Sequence, residues 1–136
     1  MNAVFADTSY YVALLSTVDR HHQRAHEFAQ SWRGRVVLTD YVIIELGNAL
    51  SAVARRQNLV PLVESLKQNR KVEIIPANEE LLERGLELFG QRPDKDWSLT
   101  DCISFVDMQD YGLTEALTSD HHFEQAGFQA LLRKPT

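Results

Sequence analysis

Short apolar runs alternate along the chain with longer segments in which apolar residues recur at helical spacing. The runs cover residues 4–6, 36–39, 72–75 and 116–118, with a weaker one at 130–132. Apart from Glu73 and the threonines that end two of them, the runs are apolar and do not alternate with polar positions. They therefore predict strands that are covered on both faces, as in a parallel sheet.

The segments between these runs carry the spacing of helices. They predict helices at residues 9–15, 20–32, 41–54, 59–68, 78–89 and 100–111. Strands that alternate with helices are typical of an α/β sandwich around a parallel sheet. No internal repeat, low-complexity tract or linker rich in Gly, Pro or Ser interrupts the pattern, so the 136 residues predict a single domain, 1–136.

Composition is that of an ordinary soluble globular protein, with 44% hydrophobic and 24% charged residues. No apolar run approaches the length of a membrane span, and the N-terminus shows no pattern of a signal peptide. The single cysteine, Cys102, cannot form an internal disulfide and is expected to lie in the core. We therefore expect a cytoplasmic protein without a membrane partner.

Two acids follow predicted strands directly. Asp7 comes after the first run and Asp120 comes shortly after the fourth. Ligands of parallel α/β sheets bind beyond the carboxyl ends of the strands, which places both acids at the expected functional edge. Each also has a structural alternative: Asp7 could cap the next helix, although Thr8 or Ser9 could do so instead, and Asp120 could end a strand or cap a short helix.

Two further acids lie on predicted helices. Glu45 falls on the shoulder of an apolar stripe, so it either faces a site or pairs with Arg55 or Arg56 at the boundary. Asp101 stands three residues after Ser98, the spacing of a capping box, yet it shares a helical face with inward-pointing apolar residues. Asp96, in the preceding loop, is a reserve candidate.

Together the four acids suggest a metal site. Crowded carboxylates repel one another and raise each other's pKa values, and a divalent cation reverses that cost. Oxygen ligands favour Mg²⁺ or Mn²⁺. A zinc site built on histidines is the weaker alternative, since His22 and His26 lie far along the chain from His121 and His122.

The net charge of −5 argues against a general coat for nucleic acid. Four carboxylates gathered around metal ions would leave 15 acidic residues against 14 basic ones. A nearly neutral surface with a metal-filled acidic pocket is compatible with cutting a phosphodiester.

Four segments together resemble one known family, the PIN-domain nucleases, and especially the ribonuclease toxins of the VapC type. They read "FADTSYYVALL", "VIIELGNAL", "SLTDCISF" and "ALTSDHHFEQAGF". The resemblance implies a three-layer α/β/α sandwich with a parallel sheet of four to five strands, ordered about 3-2-1-4-5. It further implies that four residues are the catalytic metal ligands: Asp7, Glu45, Asp101 and Asp120.

The resemblance also implies a function and partners. The activity is hydrolysis of RNA with Mg²⁺ or Mn²⁺, and the partners are a second copy of the chain and a small antitoxin. Ser9 matches an accessory polar position beside the metals, and His122 stands where some members have a further acid, which leaves the number of metal ions open.

Contacts to the substrate are less defined. The candidate phosphate contacts are Arg20, Arg24, Arg55, Arg56, Arg70 and Lys71, although solvated surface charge is the stronger explanation for each of them. Trp32 and Trp97 could stack on bases or pack in the interior.

Other functions fit the sequence less well. A phosphotransfer domain of the haloacid dehalogenase kind needs an acid at the place of Ser9, and a flap-type DNA nuclease needs a longer chain. The main alternative is a PIN-like module that binds RNA or a protein without cutting it.

Overall fold

A five-stranded parallel sheet forms the centre of the structure, a computed structural model that describes residues 2–133. The strands are β1 (Ala3–Ala6), β2 (Arg35–Thr39), β3 (Val72–Ile75), β4 (Glu115–Leu117) and β5 (Gln129–Ala130). Their order is β3-β2-β1-β4-β5, and every neighbouring pair is parallel. The predicted strand order is therefore confirmed, and β1 lies directly beside β4.

Seven helices within the described residues complete a three-layer α/β/α sandwich. They are α1 (Thr8–Leu15), α2 (His22–Ser31), α3 (Asp40–Ala49), α4 (Leu59–Gln68), α5 (Glu79–Gln91), α6 (Leu99–Asp110) and α7 (His121–Gln125). None of these helices is long and apolar enough to cross a membrane.

The core is built around β1 and α6. Eight consecutive residues of α6, from 101 to 108, are buried. Phe105 packs edge-on against Trp97 and Phe123, and Cys102 is fully buried beside them. The interior placement predicted for Cys102 is confirmed, and Trp97 packs in the core instead of presenting a face for bases.

Trp32 also packs inside the fold. Its ring stacks on Phe28, and its indole N–H donates to the backbone oxygen of Arg35 at 3.2 Å. Both rings line an apolar cavity of about 220 Å³ between α1, α2, α4 and the sheet.

The end of one predicted helix was wrong, and one short helix had been considered only as an alternative at Asp120. The third helix ends at Ala49 and not at residue 54, because Leu50 is its last buried residue while Val53 is 88% exposed. The chain instead turns and forms a short 3-10 helix at Arg56–Asn58. The short α7 was not predicted as an element, since five residues carry no measurable periodicity.

Asp107 is a charged residue within the buried face of α6. Its side chain is only 2% exposed, and its Oδ2 has no hydrogen-bond partner among the described residues. Burial, together with the smaller effect of the nearby carboxylates of Asp110 and Glu73, raises the pKa of Asp107 to about 6. The ionised form is therefore disfavoured in the folded state.

We expect Asp107→Asn to stabilise the fold at pH 7 by about 2 kcal/mol. The folded wild type binds a proton more tightly than the unfolded chain, so its free energy of unfolding falls as pH rises from the ordinary pKa of 3.8 towards 6. The advantage of the variant should thus be present at pH 7 and shrink near pH 4. Urea unfolding at pH 4 and pH 7 measures this difference in the free energy of unfolding. The exposed Glu64 of α4 provides the matched control, Glu64→Gln. Equal stability of Asp107→Asn and wild type at pH 7 would contradict the prediction.

Candidate metal centre at the carboxyl edge of the sheet

The carboxyl ends of β1 and β4 open into a cleft of about 440 Å³, which we call the acidic cleft. Its lining comprises Asp7, Thr8, Ser9, Val12, Asp19, Glu45, Ser98, Asp101, Ser119, Asp120 and His122. All four predicted acids line this cleft. The reserve candidate Asp96 is exposed and does not line it.

Asp7 joins the two central strands at the base of the cleft. Its backbone N–H donates to the oxygen of Leu117 at 3.1 Å, which continues the pairing of β1 with β4. Its Oδ2 accepts from the hydroxyls of Ser9 and Thr118, both at 2.8 Å, and from the Ser9 backbone N–H at 3.4 Å. The side chain is 4% exposed.

Of the caps that the sequence allowed for α1, Asp7 is the one that the structure uses. The hydroxyls of Thr8 and Ser9 have other partners. Thr8 donates to Glu45 Oε1 at 2.6 Å, while Ser9 Oγ accepts from the Ser119 backbone N–H at 3.0 Å and contacts Asp7. Capping and cleft lining are therefore combined in one aspartate.

Glu45 reaches the cleft from α3. Its Oε1 is fixed by the hydroxyl of Thr8, which lies at the start of α1. Within the described residues, the carboxylate makes no ion pair with Arg55 or Arg56. The boundary ion pair considered from the sequence is thus absent there, and Glu45 joins α3 to the cleft.

Asp101 is both a helix cap partner and a cleft residue. It completes the capping box of α6: Ser98 Oγ accepts from the Asp101 N–H at 3.0 Å, and Asp101 Oδ2 accepts from the Ser98 N–H at 3.1 Å. The same Oδ2 lies 2.9 Å from His122 Nδ1. With 5% of its surface exposed, Asp101 is nearly as buried as Asp7.

Asp120 caps α7 and lies beside the same histidine. Its Oδ1 accepts from the His122 backbone N–H at 2.9 Å and lies 3.3 Å from His122 Nδ1. An ionised carboxylate only accepts hydrogen bonds, so Nδ1 of His122 carries the proton and orients Asp101 and Asp120 together. His122 therefore lies beside both acids in the cleft.

All four carboxylates share one arrangement. In each, one oxygen is held by the hydrogen bonds described above. No hydrogen bond among the described residues uses Asp7 Oδ1, Glu45 Oε2, Asp101 Oδ1 or Asp120 Oδ2. The chain thus orients four acids while leaving one oxygen of each available.

Electrostatics in the cleft favour a bound cation. The pKa of Asp7 is raised to about 6, chiefly by burial and to a smaller extent by the charges of Asp101 and Glu45, against the lowering effect of its hydroxyl partners. Burial also raises the pKa of Asp101, despite its hydrogen bond from His122. A donor set of oriented carboxylate oxygens whose charges oppose one another fits Mg²⁺ or Mn²⁺.

The histidines offer a second group of donor atoms. Ligand atoms of Asp120, His121 and His122 lie within 4.8 Å of one another, next to the four acids. The pair on α2 is elsewhere: His22 and His26 stack on each other, and His22 Nδ1 bonds the backbone oxygen of Ala13 at 2.7 Å. The described residues therefore bring histidine nitrogens to the cleft only from α7.

The sequence did not single out Thr118, which supports the cleft from behind, or Asp19, which lines it. Thr118 is fully buried at the end of β4 and contacts both Asp7 and the backbone of Asp120. Asp19 lines the cleft from the loop after α1, where its Oδ1 accepts from the His21 N–H at 2.8 Å. The sequence signal for Thr118 was its position two residues before Asp120. Asp19 lies in a polar loop, and no sequence signal marked it.

The candidate phosphate contacts lie outside the acidic cleft. None of the six basic residues lines it. Arg55 lines a smaller adjoining cavity that shares Val12 with the cleft, whereas the Lys71 ammonium donates to the backbone oxygen of Arg33. Their role in binding a substrate stays a prediction.

We expect Thr118→Val to destabilise the fold by about 1–2 kcal/mol, because Asp7 loses a donor and the Asp120 N–H loses its acceptor. Valine has nearly the same shape, so the change removes the hydroxyl and little packing. Thermal and urea unfolding measure the loss, with Thr114→Val on the exposed loop before β4 as the matched control. Equal effects of the two substitutions would speak against a special role of the buried hydroxyl.

Comparison with known proteins identifies relatives of this chain. The family description "PIN domain" matches residues 4–129. The 23S rRNA-specific endonuclease VapC20 of Mycobacterium tuberculosis is 25% identical over 125 residues, which cover 92% of this chain and 95% of the relative.

Two solved structures are similar to this chain along nearly its whole length. The crystal structure of Mycobacterium tuberculosis VapC20, described as a toxin that cleaves the sarcin-ricin loop, superimposes with a TM-score of 0.83 over 92% of this chain and 95% of that one, at 25% identity. FitAcB from Neisseria gonorrhoeae shares the fold, with a TM-score of 0.65, 17% identity and coverage of 93% and 94%.

Proposed function

This chain belongs to the PIN-domain family, and on that premise we propose that it is a metal-dependent ribonuclease of the VapC type. It hydrolyses RNA phosphodiester bonds and acts as the toxin of a toxin–antitoxin pair. The likeness to VapC20, a 23S rRNA-specific endonuclease, extends over nearly the whole of both chains and supports this proposal.

The observation that carries the proposal is the arrangement of the four acids. Each uses one oxygen to fix its orientation and leaves the other without a hydrogen bond among the described residues. Acids that only stabilised the fold would be expected to pair both oxygens, since unpaired buried charge is costly. The free oxygens of Asp7, Glu45, Asp101 and Asp120 would hold Mg²⁺ or Mn²⁺.

The chemistry that such a cation supplies is activation of water near neutral pH and compensation of charge on the leaving oxygen. The side chains around it keep the acids in place. Thr118 and Ser9 hold Asp7, Thr8 holds Glu45, and His122 holds the other two. Cys102, buried in the core, does not line the cleft and takes no part as a nucleophile.

Partners follow from the same proposal. The substrate is RNA, held against the cleft with help from basic residues around its rim. Arg55 is the nearest candidate, because it lines the adjoining cavity. The chain forms a homodimer in the cytoplasm and is silenced by a small antitoxin.

The test is cleavage of RNA by purified, partner-free protein. We expect a panel that includes 23S rRNA to be cut in Mg²⁺ or Mn²⁺ and to stay intact in EDTA. Zn²⁺ as the only divalent ion tests the histidine donors of α7. RNA that is retained in a gel shift but never cut, with any of these ions, would contradict the nuclease and identify a binding module.

A further inference from the structure

A second polar pocket lies between α5, α6 and the end of β3. It has a volume of about 200 Å³ and shares no lining residue with the acidic cleft. Its walls are formed by Ile75, Asn78, Glu80, Leu81, Arg84, Asp107, Asp110 and Tyr111. We call it the Asp107 pocket.

The charges of this pocket are not balanced. Three carboxylates face one guanidinium, that of Arg84. Arg84 already binds both oxygens of Asp110, at 2.7 and 3.0 Å. The buried Asp107 has no hydrogen-bond partner for its Oδ2 among the described residues, and neither does Ser104 Oγ, one turn earlier on α6.

Neighbouring groups do not supply the missing cation. Glu73, whose charge also acts on Asp107, accepts from Arg35 at 2.8 Å with one oxygen and from the Tyr111 hydroxyl at 3.1 Å with the other. A buried carboxylate without a partner is uncommon because its desolvation is uncompensated. The pocket is therefore built around a negative group whose partner is not in the described part of the chain.

We propose that the Asp107 pocket binds the guanidinium group of an arginine side chain from a protein partner. Asp107 would accept from the guanidinium, while Ile75 and Leu81 cover its apolar stem. The volume is that of one long side chain and exceeds a bare ion. A divalent cation is disfavoured because both oxygens of Asp110 and of Glu73 are already bonded, and such ions take several carboxylate oxygens.

The experiment uses n-butylguanidinium as the probe and two-dimensional amide NMR of the whole chain. We expect saturable shifts that are confined to residues of the Asp107 pocket. The neutral isostere n-butylurea should give none. Asp107→Asn should weaken the binding of n-butylguanidinium by about tenfold or more, because the charged acceptor is lost.

Glu64→Gln is the matched control, since it removes one negative charge on exposed α4 and should leave binding unchanged. Should Asp107→Asn fail to give a dispersed spectrum, Glu80→Gln at the exposed rim keeps the test open, with an expected weakening of about threefold. Equal shifts with n-butylurea, or no localised shifts at all, overturn the proposal. Mn²⁺ that broadens these resonances as strongly as those of the acidic cleft also overturns it, in favour of a metal site.

Discussion

Asp7→Asn is expected to lower the rate of RNA cleavage by at least about a hundredfold, because it removes the charge of a proposed metal ligand at the base of the acidic cleft. Asp7 is the acid with the most contacts in the cleft: two hydroxyls and a backbone N–H hold its Oδ2. The amide oxygen of asparagine accepts the same three donors, so the remaining geometry is kept. The neutral NH₂ group then takes the place of the free carboxylate oxygen.

The fold should survive this substitution. Asparagine caps helices as well as aspartate does, so α1 keeps its first turn. Burial of an uncompensated charge is also relieved, so the unfolding midpoint in EDTA at pH 7 should equal or exceed that of the wild type.

Initial rates on the RNA that the wild type cuts, and urea unfolding in EDTA, measure the two effects of Asp7→Asn. Asp96→Asn is the matched control because Asp96 is exposed outside the cleft, and its rate should stay within about twofold of the wild type. Cleavage by Asp7→Asn at the wild-type rate would remove Asp7 from the mechanism.

The second large effect separates the two roles of Asp101, as a cap partner and as a cleft acid. Asp101→Asn should lower cleavage by at least about a hundredfold with little change in stability, because an amide oxygen still accepts from the Ser98 N–H. Ser98→Ala should do the reverse. It removes the hydroxyl cap at a cost of about 1 kcal/mol while the carboxylate stays on α6.

Both variants are compared in one urea series and one cleavage series. The expected result is a crossed pattern, in which Asp101→Asn loses activity and Ser98→Ala loses stability. If Ser98→Ala lost as much activity as Asp101→Asn, the carboxylate would act only through the helix cap. Parallel losses in both assays would thus contradict a direct role of Asp101 in catalysis.

The sheet, and the edge of the sheet at which the four acids meet, could be predicted from the sequence because strands buried on both faces are apolar along most of their length. The run around Phe5 is continuously apolar, and Asp7 follows it without a gap. The strand order was implied by the resemblance alone, since no local pattern specifies which strands are neighbours. The end of α3 was misplaced because Val53 continues the apolar stripe although it faces solvent.

The sequence could not decide whether each of these acids supports a helix cap or lines a cleft, because at three positions one aspartate has both roles. An aspartate at the start of a helix is equally suited to support the cap and to line a cleft, and Asp7 and Asp120, as N-caps, and Asp101, in the capping box, each do both. Thr118 was overlooked for a related reason. Besides the local contact with Asp120, its hydroxyl contacts Asp7 and Ser9, which are distant in sequence, so the local pattern reveals only part of its role.

The double use of these aspartates has an evolutionary consequence. One transition in the first codon base turns aspartate into asparagine, a residue that caps a helix equally well. At three separate positions, a single nucleotide change would therefore silence the proposed chemistry without unfolding the chain. In this family, a single mutation could therefore produce a pseudoenzyme. Such a protein would keep its fold after losing the activity and could still bind other partners.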